Sequence, residues 1–365
     1  MKVRFTAFSL LAALAMVSLT ATVFAQDTTD TLPAHPRYAK RTPHLRSDIA
    51  APVTPLTTWN GTFVFHGVTY KYNMVGTAPS TGTSTTINTF LIPIAFTYTS
   101  GGTTTTFSPA HVLSNGQTVI KNTQQSPIFQ KGVDFVTGGI DLGNTQYTDA
   151  FQRGNFWGQV QSKPGYHVLL GQPKVAPVQT FAVPPADGSL ATEFEVKVGL
   201  ADINWLDGKL QGIINKVKQI NPTVLPIFIT YDVYVTDFGC CIGGYHSSMG
   251  STAAPQAYSY FTYIDKPVFA QDVSALSHEI SEWMDDPLVV NINGNVVQCG
   301  ILEVGDPEEV FANNGAFPYT LNGFTYNLQD ETYLPYFGAP ASTSANGSLT
   351  FQGNPFHLGV CSNGG

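Results

Sequence analysis

From Trp59 onward the chain is written in short runs of alternating apolar and polar residues cut by turn residues, and this patterning bounds its fold more tightly than any other feature. Thr62-Phe63-Val64-Phe65, Phe90-Leu91-Ile92-Pro93-Ile94-Ala95-Phe96, Thr118-Val119-Ile120 and Tyr166-His167-Val168-Leu169-Leu170 are of strand length, with breaks such as Ser100-Gly101-Gly102 between them. A period of two places alternate side chains on opposite faces of a sheet, so residues 56–188 read as a β-sandwich or a related β-rich layer. The Ser80–Thr86 stretch reads as a hairpin tip or loop. Plentiful aromatics and scarce charges suit such strands, and the net charge of −8 lacks the basic face that nucleic-acid binding requires.

The pattern changes near residue 190. Glu193–Val198 reads as a strand, Ile203–Ile220 spaces Leu206, Leu210, Ile213, Ile214 and Val217 as one face of a helix, and Val224–Val235 returns to strand. Strand, helix and strand in succession predict an α/β or α+β unit over residues 189–365, and hence two regions in the mature chain.

The N-terminus has the grammar of export. Lys2 and Arg4 precede an apolar and small-residue stretch from Phe5 to Phe24 that closes on Val23-Phe24-Ala25. A charged start, an apolar middle and a small-residue end predict a signal peptide over residues 1–25, and hence a secreted or periplasmic protein. No later segment reaches transmembrane length. Residues 26–55 carry five prolines and the basic Arg37, Lys40, Arg41 and Arg46 without strand or helix periodicity, and read as a mobile linker or pro-segment. Four cysteines remain, and in an exported chain they predict two disulfides joining Cys240 and Cys241 separately to Cys299 and Cys361, since adjacent cysteines close a strained ring.

The charge distribution points to chemistry. Beyond Lys266 there is no Lys or Arg, while the same stretch holds Asp272, Glu279, Glu282, Asp285, Asp286, Glu303, Asp306, Glu308, Glu309, Asp330 and Glu331. Such a run is either a solvated acidic surface or a set of cation ligands. Placement favours ligands. A helix over residues 273–285, with Asp272 as N-cap and Pro287 as stop, sets Val273, Leu276, Ile280, Trp283 and Met284 on one face and His278, Glu282 and Asp285 on the other. His278 and Glu282 stand at i and i+4, where two side chains reach one ion, and Glu279 stands where a general base would. Asp285 and Asp286 sit at the negative end of the helix dipole, which calls for a positive neighbour: a metal, or an earlier cation such as Lys266 or Arg153. Glu303 or Asp306 could return to supply a third oxygen.

The stretches HEISEWMDDP, LEVGDP and NGFTYNLQDETYLPYF resemble secreted bacterial proteins that carry an H-E-x-x-E helix and a downstream Glu-x-Gly-Asp. The segment YDVYVTDFGCCIGGYHSS is similar to the Cys-x-x-Gly-x-His region of the exordium or phosphate-induced family. The resemblance spans about residues 225–365. It implies a zincin-like α/β metal-site region following the β-rich one, an α+β fold overall. Glu282 replaces the second His of a zincin helix, and an added negative ligand weakens a metal as a Lewis acid.

Three functions follow as expectations. The first is a secreted metal-dependent, peptidase-like hydrolase acting on a peptide or cell-wall substrate. Zinc is held by His278, Glu282 and one of Glu303 or Asp306, Glu279 takes a proton from water, and His246 serves as a further ligand or substrate-orienting group. The second is a non-catalytic, wall-associated exordium-like protein with a structural ion. The third is a calcium-stabilised β-rich binding module, which leaves His278 without a task. No nucleophile elbow, P-loop or dinucleotide fingerprint stands in a fitting context.

Overall fold

A run such as Leu91–Phe96, apolar at successive positions, suits a strand covered on both faces, and that is where the computed structural model places it. The structure describes residues 37–40, 44–46, 54–65, 67–193, 196–237, 239–265, 271–289, 302–340 and 348–356. Its centre is a mixed sheet that counts 13 strands. The principal order is Lys174–Val175, Ser84–Ser100, Val224–Tyr231, Ala254–Tyr263, Ile242–Ser251, Val233–Thr236, Val196–Asp202 and Gly188–Glu193. Ser84–Ser100, Val224–Tyr231 and Ala254–Tyr263 run parallel to one another, and Ala254–Tyr263 pairs antiparallel with Ile242–Ser251.

This corrects the α+β reading of a β-rich region followed by a zincin-like α/β region. Ile227 registers against Leu91 and Phe228 against Ile92, so strands from both sides of residue 188 share one sheet, and the described residues form no zincin arrangement. The reason is burial. Leu225, Ile227 and Ile229 enter one core and Phe228 the other, so the strand has two apolar faces and needs apolar neighbours on both edges. Leu91 and Ile92, which lie in different cores, supply them.

Other expectations shift locally. The stretch read as a strand over residues 193–198 belongs to two antiparallel strands, Gly188–Glu193 and Val196–Asp202. Helix Ile203–Ile214 ends before Ile220, and Asp202 caps it by accepting from Trp205 N–H at 2.9 Å. Asp232, at φ 50°, separates Val224–Tyr231 from Val233–Thr236. Part of the segment read as a linker is strand: Arg37–Lys40 and His44–Arg46 pair in parallel with Ile242–Ser251, Lys40 opposite His246. Cys240 and Cys241 lie sulfur against sulfur across a cis peptide bond rather than reaching separate partners, and Cys299 and Cys361 fall outside the described residues. The signal reading of residues 1–25 also falls outside them. Among the described residues no helix is long and apolar enough to cross a membrane.

Candidate metal centre

The apolar stripe predicted on the acidic helix makes it pack, and packing carries its polar face inside as well. Helix Ser274–Asp285 buries all twelve residues: Leu276, Ile280, Trp283 and Met284 join the core, while His278, Glu279, Glu282 and Asp285 are also enclosed. Strands Ala254–Tyr263, Ile242–Ser251 and Phe324–Gln329 and helix Tyr147–Asn155 surround it. The acidic face is therefore no solvated surface. The helix begins after Val273, and Asp272 is not its cap: the Asp272 carboxylate accepts from the backbone N–H of Asn327 at 3.0 Å and from its side-chain amide at 2.7 Å.

Strand periodicity brings the second imidazole in. Along Ile242–Ser251, Tyr245 turns to the far face, where its hydroxyl donates to Asp207 at 3.2 Å, while Gly244 and His246 turn to the helix. His246 Nδ1 stands 3.1 Å from Glu279 Oε2 and 3.8 Å from Glu282 Oε2, and its Nε2 stands 3.9 Å from Glu303 Oε2. His278 Nε2 stands 3.1 Å from Glu282 Oε1 and 3.7 Å from Asp306 Oδ1. Among the described residues two groups of donor atoms are close enough to hold an ion: His278, Glu282 and Asp306, and His246, Glu279 and Glu282. All six predicted site residues thus gather in one place. Asp306, rather than Glu303, shares a group with His278 and Glu282.

Sequence reasoning missed three supporting residues. Gln329 donates its side-chain amide to Gly305 O at 3.1 Å, which turns its Oε1 toward His278 Nδ1 at 3.0 Å. The imidazole proton is then on Nδ1, and the Nε2 lone pair faces Glu282 and Asp306. Gly305 and Asp306 donate their backbone N–H groups to Glu282 Oε1, each at 3.3 Å. A Cβ on Gly305 would lie 2.3 Å from His278 Nδ1, and one on Gly244 would lie 2.8 Å from Glu279 Oε1, so both backbones are flush against the site. The glycines were visible in Glu-x-Gly-Asp and Gly-Gly-Tyr-His, but only contact shows what they admit.

Burial sets the proton affinities. It pushes His278 down to about 3, against opposing contributions from Gln329 and Glu303, so the imidazole is neutral. Burial, then the nearby carboxylates of Glu303, Asp306 and Glu309, hold Glu279 well above the usual carboxylate range. Glu282 is raised in the same way, by burial first and then by Asp306, Glu303 and Glu279. Asp285 is raised by burial, and its partners are the side-chain amides of Gln152 and Asn155. Arg153 is not its counter-charge: it donates to the carbonyl oxygens of Leu142 and Tyr166.

A lone pair and two carboxylates aimed at one another repel unless a proton or a metal ion lies between them. Nitrogen and oxygen donors at these spacings suit zinc, whereas calcium takes oxygen ligands alone. Comparison with family models, with curated proteins and with solved structures returned no match to this chain.

Proposed function

We propose that this chain is an exported metal-dependent hydrolase that holds zinc through His278, Glu282 and Asp306 and acts on a peptide or cell-wall substrate. The observation that carries the reading is the placing of His278 between Gln329 and Glu282: Nδ1 is 3.0 Å from Gln329 Oε1, and Nε2 is 3.1 Å from Glu282 Oε1. A bound zinc supplies Lewis acidity and lowers the pKa of water. Glu279 is placed to accept the proton: Oε2 faces His246, while the buried Oε1 has no hydrogen-bond partner among the described residues. The Asp306 side chain is 48 % exposed, which gives the ligand group an outward side for substrate. Export rests on residues 1–25, and an intact mass beginning at Gln26 tests it.

The enclosure of His246, His278 and Glu279 favours a second reading, a structural ion in a non-catalytic, exordium-like wall protein. Metal analysis, peptide hydrolysis and Glu279→Gln decide between them. A hydrolase keeps the zinc held by His278, Glu282 and Asp306 in the variant and loses turnover by about 100-fold or more, the usual scale of general-base catalysis. With a structural ion, chelation lowers the melting temperature and Glu279→Gln changes little. Purified protein without metal overturns both readings.

A further inference from the structure

We propose that this centre holds two divalent metal ions bridged by the carboxylate of Glu282. The inference rests on the reading of His278, Glu282 and Asp306 as one ligand group and adds a second, made of His246, Glu279 and Glu282. Glu282 is the member common to both groups, and it meets them with opposite oxygens: Oε1 is 3.1 Å from His278 Nε2, and Oε2 is 3.8 Å from His246 Nδ1. Among the described residues no group of three mutually adjacent donors contains both imidazoles, so one ion cannot sit among the donors of both groups as they stand. Together the two groups bring three carboxylates, that of Glu282 shared, to two doubly charged ions.

The second group has the supports of a built site. Glu303 Oε2 lies 3.9 Å from His246 Nε2, beyond hydrogen-bond distance, while Nδ1 faces Glu279 and Glu282. Glu279 is fully buried and its Oε1 has no hydrogen-bond partner among the described residues, so Oε2 can ligate while Oε1 accepts a proton. Gly244 leaves room for that arrangement, since a Cβ there would meet Glu279 Oε1 at 2.8 Å. A carboxylate that offers one oxygen to each of two ions is the common bridge of paired metal sites, in which the ions lie about 3.5–4 Å apart.

Stoichiometry tests this on the full mature chain. Protein stripped with a chelator and titrated with zinc is expected to take up two equivalents, and His246→Ala one. Loading the parent with cobalt(II) gives a readout that needs no variant. Two equivalents across a carboxylate bridge produce a spin-coupled pair, seen as loss of the isolated high-spin signal in electron paramagnetic resonance. Saturation at one equivalent, with an isolated cobalt signal and the same uptake in His246→Ala, overturns the second ion and leaves the single-ion hydrolase standing. No uptake of either metal overturns both.

Discussion

Replacing Gln329 by Met tests whether the orientation of His278 is what makes the centre a metal site. Methionine matches glutamine in length and volume and offers no strong acceptor, so packing around this fully buried position is nearly kept. Two hydrogen bonds are lost: His278 Nδ1–H to Oε1 at 3.0 Å, and the side-chain amide to Gly305 O at 3.1 Å. The backbone bond from Gln329 N–H to Ser277 Oγ at 2.8 Å remains. A buried polar group that loses its partner costs about 1–3 kcal/mol. For Gly305 O that cost falls on the fold with or without metal. For His278 it falls mostly on the metal-bound form, because the metal-free imidazole can move its proton to Nε2 and donate to Glu282, whereas metal binding returns the proton to Nδ1. Zinc affinity should therefore drop about 10- to 100-fold, the usual effect of removing a group behind a ligating histidine. That is about 1.4–2.7 kcal/mol, within the cost of one orphaned N–H. Competition against a chromophoric chelator measures it, with melting of the chelated protein as the check on folding. Affinity within twofold of the parent would refute the reasoning.

Gly305→Ala brings a Cβ to 2.3 Å from His278 Nδ1 and displaces the backbone N–H groups that hold Glu282, so zinc affinity should fall at least about tenfold in the same competition assay. Asp272→Asn tests a buried acid away from the ligands. Burial pushes Asp272 from 3.8 up to about 6, so its contribution to stability is fully present below 3.8 and is lost as pH rises through about 6, a change of about 3 kcal/mol. Urea unfolding should show the parent losing that much more than the variant between about pH 3.5 and 7, and a pH-independent difference would count against it. Zinc held at a hundredfold over its Kd should stabilise the fold by about 2.7 kcal/mol, visible as a melting temperature that falls on chelation.

Local features were legible because they depend on neighbours in sequence. The helix predicted over residues 273–285 is Ser274–Asp285, since the apolar stripe, the i, i+4 pair and Pro287 all act within a few turns. Strand content was legible for the same reason, as was the acidic face with its one imidazole. As a local signal Asp272 looks like a cap, but its carboxylate accepts from the N–H of Val273 and from the backbone and side-chain N–H groups of Asn327, fifty-five residues away.

The sequence by itself determined which residue types share a helical turn or alternate along a strand, and that was enough to name His278, Glu279, Glu282, Glu303, Asp306 and His246 as one chemical set. Only the tertiary structure decided the rest. It joined Ser84–Ser100 to Val224–Tyr231 across the boundary that a change of periodicity had suggested, because a strand with two apolar faces is satisfied by any apolar neighbour and carries no local mark of which one. It buried the acidic face of the helix, set Gln329 behind His278, and sorted His278 to one oxygen of Glu282 and His246 to the other. Those choices follow from backbone approach at Gly244 and Gly305 and from hydrogen bonds spanning twenty to fifty residues, distances over which periodicity carries no information.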